Sequence, residues 1–71
     1  MEKDLACEIM KYANELGAIC NKMDPLLRQI AQDDERKIFL RRLGKIMADI
    51  NVELILPIIR AHPDLDPDNK T

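Results

Sequence analysis

Residues 5–23 read LACEIMKYANELGAICNKM, and large apolar side chains recur through this stretch at alternating spacings of four and three. That is the heptad spacing of an amphipathic helix with a single apolar seam. The seam consists of Leu5, Ile9, Tyr12, Leu16, Ile19 and Met23. Ala6, Ala13 and Cys20 recur beside it every seven residues, and such small side chains let a neighbouring helix approach closely. The stretch predicts a long helix over about residues 2–22.

Two further helices are predicted downstream, over about residues 25–31 and 34–61. An Asp-Pro pair opens the first of them, where Asp suits an N-cap and Pro suits the first helical turn. On a helical wheel, the apolar residues of this short helix lie nearly opposite the stripe that runs from Phe39 to Leu54, which favours a break near Gln32 to Asp34. A continuous helix with two buried faces is the alternative.

The second half of the third predicted helix is apolar on more than one side. Six of the eight residues from Val52 to Ile59 are apolar. Val52, Ile55 and Ile59 point away from the stripe that begins at Phe39. Pro57 should kink the helix, because it removes the hydrogen bond to the Glu53 carbonyl. A strand is another interpretation, but the chain offers no second strand to pair with it. No other part of the chain is large enough to cover this segment, so we expect another chain to cover it.

The chain is 71 residues long, and a domain of that size buries only about 60% of the surface that its unfolded form exposes. We assign residues 1–62 to one helical domain and residues 63–71, which combine prolines with alternating acids, to a disordered acidic tail. A disulfide cannot support the fold, because Cys7 and Cys20 would lie about 20 Å apart along one helix. Oligomerisation remains as the support for so small a domain.

The fold class predicted from these patterns is all-α. Two long amphipathic helices, joined by a short helix, complete a four-helix-type bundle as a homodimer. The predicted protein interface consists of Val52, Leu54, Ile55, Ile58 and Ile59.

The chain offers little for catalysis or for binding a metal or cofactor. It has no serine, one histidine and two isolated glycines, so neither a nucleophile with an adjacent base nor a phosphate-binding loop can be drawn. Its one histidine and two cysteines do not have the spacing of any familiar zinc site. Asp64, Asp66 and Asp68 resemble the start of a calcium loop but lack its turn glycine and its closing acid. We predict no enzyme, no metal and no cofactor.

Charge and hydropathy bear on the partner class. The formal net charge is −2 with 34% charged residues, so no overall field attracts nucleic acid or anionic lipid. The longest uncharged apolar run has six residues, far below the roughly 20 that cross a bilayer. Free thiols and the lack of a targeting signal predict a cytoplasmic protein.

Two functions fit these features. The first is a protein-protein interaction module, such as an adaptor, an inhibitor or a regulatory subunit, that pairs with itself and with another protein. The alternative is a nucleic-acid-binding regulator, in which cations of the third helix would contact phosphates. Those cations are Lys37, Arg41, Arg42 and Lys45. Against the alternative, no aromatic or amide residue shares the helix face of the stripe Lys37, Arg41 and Lys45, and acidic residues lie at both ends of it.

Overall fold

The computed structural model describes residues 1–66, and in this range every regular element is helical. Helix α1 spans Lys3–Leu27, α2 spans Asp33–Asp49 and α3 spans Leu56–Ala61. A π-helical segment, Ile50–Ile55, joins α2 to α3, and a 3-10 turn follows at Pro63–Leu65. The chain therefore folds as two antiparallel arms: α1 is one arm, and α2, the π segment and α3 form the other. The all-α fold class is confirmed.

The first helix is longer than predicted, because it continues through Pro25 to Leu27. Asp24 does not cap a new helix. Its carboxylate accepts a hydrogen bond of 2.7 Å from the Arg28 Nε, a pairing at helical spacing that favours continuation of α1. The separate helix predicted over residues 25–31 is wrong.

The break between the two arms occupies residues 28–32, and α2 begins at Asp33. The Asp33 carboxylate pairs with Arg36 and lies 3.1 Å from the Lys37 Nζ. The Arg36 guanidinium also donates a 3.2 Å hydrogen bond to the Ile30 carbonyl and so holds the turn against α2. Three acids occupy the first turn of α2, where the helix dipole favours negative charge. The alternative of one continuous helix is excluded.

The π segment changes which side of the second arm faces α1. Its N–H groups reach carbonyls five residues back, so a π turn acts like one inserted residue and rotates the following helix by about 100°. Pro57, the second residue of α3, explains its position, because the proline ring would clash with the carbonyl four residues back in an unbroken α-helix. The rotation turns Ile55 and Ile59 toward α1. The sequence predicted that these two side chains point away from the Phe39 stripe, and they pack against the buried cluster of Ala6, Met10 and Ile58.

The best-packed part of the core lies where α1 begins and α3 ends. Ala6, Met10 and Ile58 are buried together there, with 0%, 8% and 4% of their surfaces exposed. Four partly buried side chains pack against this cluster: Ile9, Ile55, Ile59 and Leu65. The expectation that no part of the chain covers the apolar segment around Ile58 is therefore wrong. The first turns of α1 cover it, because Ala6 has no side chain beyond Cβ and lets α3 approach closely.

Residues 63–66 also pack onto the fold, although the sequence predicted a disordered tail from residue 63. Leu65 contacts the core cluster, the Asp64 carboxylate pairs with the Lys3 ammonium, and a ring nitrogen of His62 lies 3.1 Å from the Met1 carbonyl oxygen. The prediction of disorder is wrong for these four residues. Its remainder, residues 67–71, lies outside the described residues.

The molecule is elongated and one layer thick. Its Cα radius of gyration is 15.1 Å, and its extents are 46 × 22 × 15 Å. A compact globular chain of this length would have a radius of gyration of about 11 Å. Two arms side by side form a single layer, which leaves the broad faces of both arms without a second layer above them.

Candidate interaction surface

The heptad seam of α1 lies largely on the surface. Five of its six side chains are 42–58% exposed: Leu5, Tyr12, Leu16, Ile19 and Met23. Within the chain, α1 instead buries the small residues Ala6, Ala13 and Cys20. These small side chains permit a closer helix approach than the bulky seam would. The seam, the most regular apolar pattern in the sequence, is thus left without an intrachain partner over most of its length.

The second arm contributes apolar side chains to the same face. Met23 and Leu27 of α1 and Phe39, Leu43 and Ile46 of α2 line a groove of about 320 Å³. The Arg42 guanidinium completes the lining and lies 5.6 Å from the centre of the Phe39 ring, a cation–π distance. We define the apolar face as the exposed seam residues of α1 together with the two exposed apolar side chains of this groove on α2. Its members are Leu5, Tyr12, Leu16, Ile19, Met23, Phe39 and Ile46.

The apolar face is large for a monomer. At roughly 150–250 Å² for one large side chain, seven side chains exposed by about half present on the order of 700 Å². The largest apolar patch of a typical monomeric protein covers about 300–600 Å², and a standard protein interface buries about 800 Å² on each partner. The face therefore has the area of one side of an interface.

The two edges of the seam differ in chemistry. Toward α2 the seam is bordered by the small residues that α1 buries within the chain. On the opposite edge, one residue before every second seam position, stand Glu8, Glu15 and Lys22, all exposed. We call these three the charged edge. The seam thus has one edge closed by the second arm and one edge open to solvent.

A second groove, of about 540 Å³, lies on the other side of the contact between the arms. Asn14, which lines it, stands about 160° around α1 from Leu16 of the seam. We call this cavity the mixed groove, because amides and a carboxylate alternate with apolar side chains along it. Its lining is Met10, Asn14, Asn51, Ile55, Leu56, Ile59, Leu65 and Asp66.

The structure separates the five residues predicted as a protein interface. Ile55 and Ile59 line the mixed groove, Ile58 is buried in the core, and Val52 and Leu54 are exposed. Since Ile58 is only 4% exposed, it stabilises the chain itself and presents no surface for another protein. For the other four side chains, contact with a partner stays a prediction. The exposed seam of α1, which is not among these five residues, is the larger apolar surface.

Three of the predicted nucleic-acid contacts, Lys37, Arg41 and Lys45, form one exposed stripe at every fourth residue of α2, and Arg42 lies off it. Lys37 is paired with Asp33, and Arg42 stacks on Phe39 in the groove of the apolar face. Arg41 and Lys45 are exposed on another side of α2. The structure thus divides four predicted cations between an ion pair, an aromatic contact and open solvent. Their binding to nucleic acid stays a prediction.

Ion pairing between the start of α1 and the 3-10 turn shifts the pKa values of two groups. The hydrogen bond between the Lys3 ammonium and the Asp64 carboxylate, together with their charge attraction, raises the pKa of Lys3 and lowers the pKa of Asp64. The bond to the Asp24 carboxylate likewise raises the pKa of Arg28. All of these side chains are at the surface, so the shifts reflect pairing of exposed groups and mark no reactive site.

Among residues 1–66, no group of three or more histidine, cysteine or acidic side chains converges as a metal site would. Of the two free thiols, Cys7 is exposed and Cys20 is buried. None of the helices described for this chain combines the length and the apolar character that crossing a membrane requires.

Comparison of the chain with protein-family models, with curated proteins and with solved structures gave no match.

Proposed function

We propose that this protein is a small helical protein-protein interaction module that acts as a homodimer. The observation that carries the proposal is the apolar face, which joins the exposed seam of α1 to Phe39 and Ile46 of α2. Exposing so much clustered apolar surface to water is unfavourable in free energy. Packing against a second helical layer would bury this surface. A second copy of the chain supplies a layer of matching area and matching chemistry.

The size of the intrachain core also supports a dimer. Three of the six buried side chains, Ala6, Ala13 and Cys20, are small, so the contact between the arms removes little apolar area from water. Apart from Met10, which is buried, the large apolar side chains of α1 lie mostly on the neighbouring, exposed seam. A domain of this length is marginal on its own core alone, and burial of the apolar face would add the missing stabilisation.

The proposed module has a second surface for a protein other than itself. The mixed groove lies on the other side of the arms from the apolar face, so it stays open when two apolar faces are packed together. Asn14 and Asn51 at its rim offer donors and acceptors above Ile55 and Ile59, an arrangement suited to an amphipathic segment of another protein. An adaptor, an inhibitor or a regulatory subunit would use such a groove.

Self-association is tested by the mass in solution. Light scattering on the purified chain at micromolar concentration should give about twice the 8.2 kDa of one copy. Leu16→Glu, in the middle of the seam, should give the mass of one copy, because a buried unpaired charge would face the partner. Ala18→Glu, exposed on the solvent side of the same helix, should keep the doubled mass. A folded wild-type chain with the mass of one copy would overturn the proposal.

The mixed groove is tested with proteins captured from the native cell extract by the tagged chain. Asn14→Lys should remove a captured partner, because its long charged side chain enters the groove, and should leave the doubled mass unchanged. Ala18→Glu again serves as the control and should retain the partner. Retention of every captured protein by Asn14→Lys would refute this part of the proposal.

A further inference from the structure

We propose that the two copies pair through their α1 helices in antiparallel orientation, with the two-fold axis crossing the seam between Tyr12 and Leu16. This inference rests on the proposed homodimer and deepens it by naming the surface, the orientation and the residues in contact. Three features of α1 carry it: the spacing of the seam, the order of charges on the charged edge, and the closure of the other edge by α2.

The seam is self-complementary when it is reversed about residue 14. Leu5 and Met23 both stand nine residues from that point, Ile9 and Ile19 stand five residues from it, and Tyr12 and Leu16 stand two. In the antiparallel pair, Leu5 therefore faces the partner's Met23. Every seam residue finds an apolar counterpart, and no seam residue is left over. This matching satisfies the knobs-into-holes packing of a heptad seam.

The charged edge is complementary in the same orientation. When two helices pack antiparallel along a seam, the corresponding edges of the two seams meet. Glu8 then faces the partner's Lys22, and the two-fold axis repeats this pair, while Glu15 stands opposite its own copy at the axis. Lys11 lies one turn before Glu15 on the same helix and offsets part of this like-charge contact. Such flanking charges set the orientation of paired helices.

A parallel pair would lack these contacts. It would place the charged edge of one seam against the other edge of its partner, and that edge, formed by Ala6, Ala13 and Cys20, is already covered by the second arm. Glu8 and Lys22 would then have no opposite charge to meet. The fold of the single chain thus favours the antiparallel orientation, because α2 covers one edge of the seam and leaves the other edge exposed.

The antiparallel pair also brings the second arms together. Both copies of α2 lie on the same side of the paired α1 helices, since they cover the same edge of each seam. Met23 lines the groove beneath Phe39, so the partner's Leu5, which faces Met23, reaches the mouth of that groove. The result is a four-helix bundle in which Phe39 and Ile46 become buried.

Charge reversal on the charged edge tests the orientation. Glu8→Lys and Lys22→Glu each place two pairs of like charges across the dimer, and each should raise the dimer dissociation constant roughly tenfold at low salt. The double variant, Glu8→Lys with Lys22→Glu, restores opposite charges and should return the constant to within about twofold of wild type. Sedimentation at several concentrations gives the constants. Lys45→Glu makes the same charge change as Lys22→Glu on the exposed side of α2 and should have little effect.

Cross-linking provides a second readout that does not depend on charge energetics. In a Cys7→Ala background, Glu15→Cys should form a covalent dimer with oxidised glutathione, because the two-fold axis brings both copies of residue 15 together. Lys11→Cys, one turn away and off the edge, should not. All substituted positions are exposed, and circular dichroism confirms that each variant keeps its helices.

The outcomes separate this inference from the proposed function. A wild-type chain with the mass of one copy would overturn both. If the dimer is stable, its dissociation constant is unchanged by the single charge reversals and Glu15→Cys fails to cross-link, the antiparallel pairing is wrong. The proposal of a homodimer would still hold. Weakening by both single variants, recovery in the double variant and cross-linking at residue 15 would establish it.

Discussion

The two ends of the molecule are built from the same pair of arms but differ in how completely the arms bury their apolar side chains. At the closed end, Ala6 and Met10 of α1 bury Ile58 of α3. At the open end, Met23 of α1 and Phe39 of α2 stand on either side of a groove and remain about two-fifths exposed. The closed end completes its core within one chain, whereas the open end has the apolar surface of a core with nothing above it.

The contrast follows from side-chain size and from the π segment. At the closed end the π segment rotates α3 so that its isoleucines face α1, and Ala6 lets them approach. At the open end α2 is a regular α-helix, and its apolar stripe is wider than the strip that α1 can cover. Stability of the single chain therefore depends on the closed end, and the proposed association would use the face that extends to the open end.

The largest effect should come from Ile58→Ala. Removing a buried isoleucine side chain leaves a cavity and typically costs about 2–5 kcal/mol, a large share of the stability of so short a chain. Ile46→Ala, at the open end, should cost the single chain much less, because 52% of the Ile46 surface is already exposed. Urea denaturation at a concentration low enough to dissociate the dimer would compare the two free energies of unfolding.

Protein concentration should distinguish Ile46→Ala from Ile58→Ala. Ile46→Ala should weaken dimerisation, so its effect should grow as protein concentration rises, whereas Ile58→Ala should be destabilising at every concentration. If the two variants lost equal stability in the dissociated chain, the division into a closed and an open end would be wrong.

The smallest effect should come from the ion pair that ties Lys3 to Asp64 at the closed end. The lowered pKa of Asp64 means that its contribution is present above the ordinary aspartate pKa and is lost as pH falls through the lowered value. The raised pKa of Lys3 means that its contribution is present below the ordinary lysine pKa and is lost as pH rises through the raised value. The pair therefore stabilises the fold between these two limits.

Asp64→Asn should accordingly lower the melting temperature slightly at neutral pH and leave it unchanged in strong acid. Both side chains are more than half exposed, so salt should also reduce the difference. Melting curves of the variant and of wild type across pH check this. A large loss of stability at neutral pH would show that the closed end depends on charge more than on packing.

Much of the local structure could be predicted from the sequence. The heptad spacing of residues 5–23 predicted the helix they form, and the opposed stripes on either side of residue 32 predicted the break. Pro25 was misleading, because α1 continues through it to Leu27, with the Asp24 carboxylate bonded to Arg28 one turn further on. Pro57 predicted a disturbance of the third helix, but local rules named a kink and could not name a π segment.

The sequence by itself determined that the chain is helical, where its arms begin, and that its apolar residues exceed what two helices can cover. Only the tertiary structure decided which residues are left over. Both the bulky seam and the small residues beside it repeat every seven residues, so periodicity cannot distinguish them. Packing does, because Ala6 and Ala13 permit close approach of the second arm. The π segment then rotates Ile58 into that contact, and the seam of α1 is left facing water.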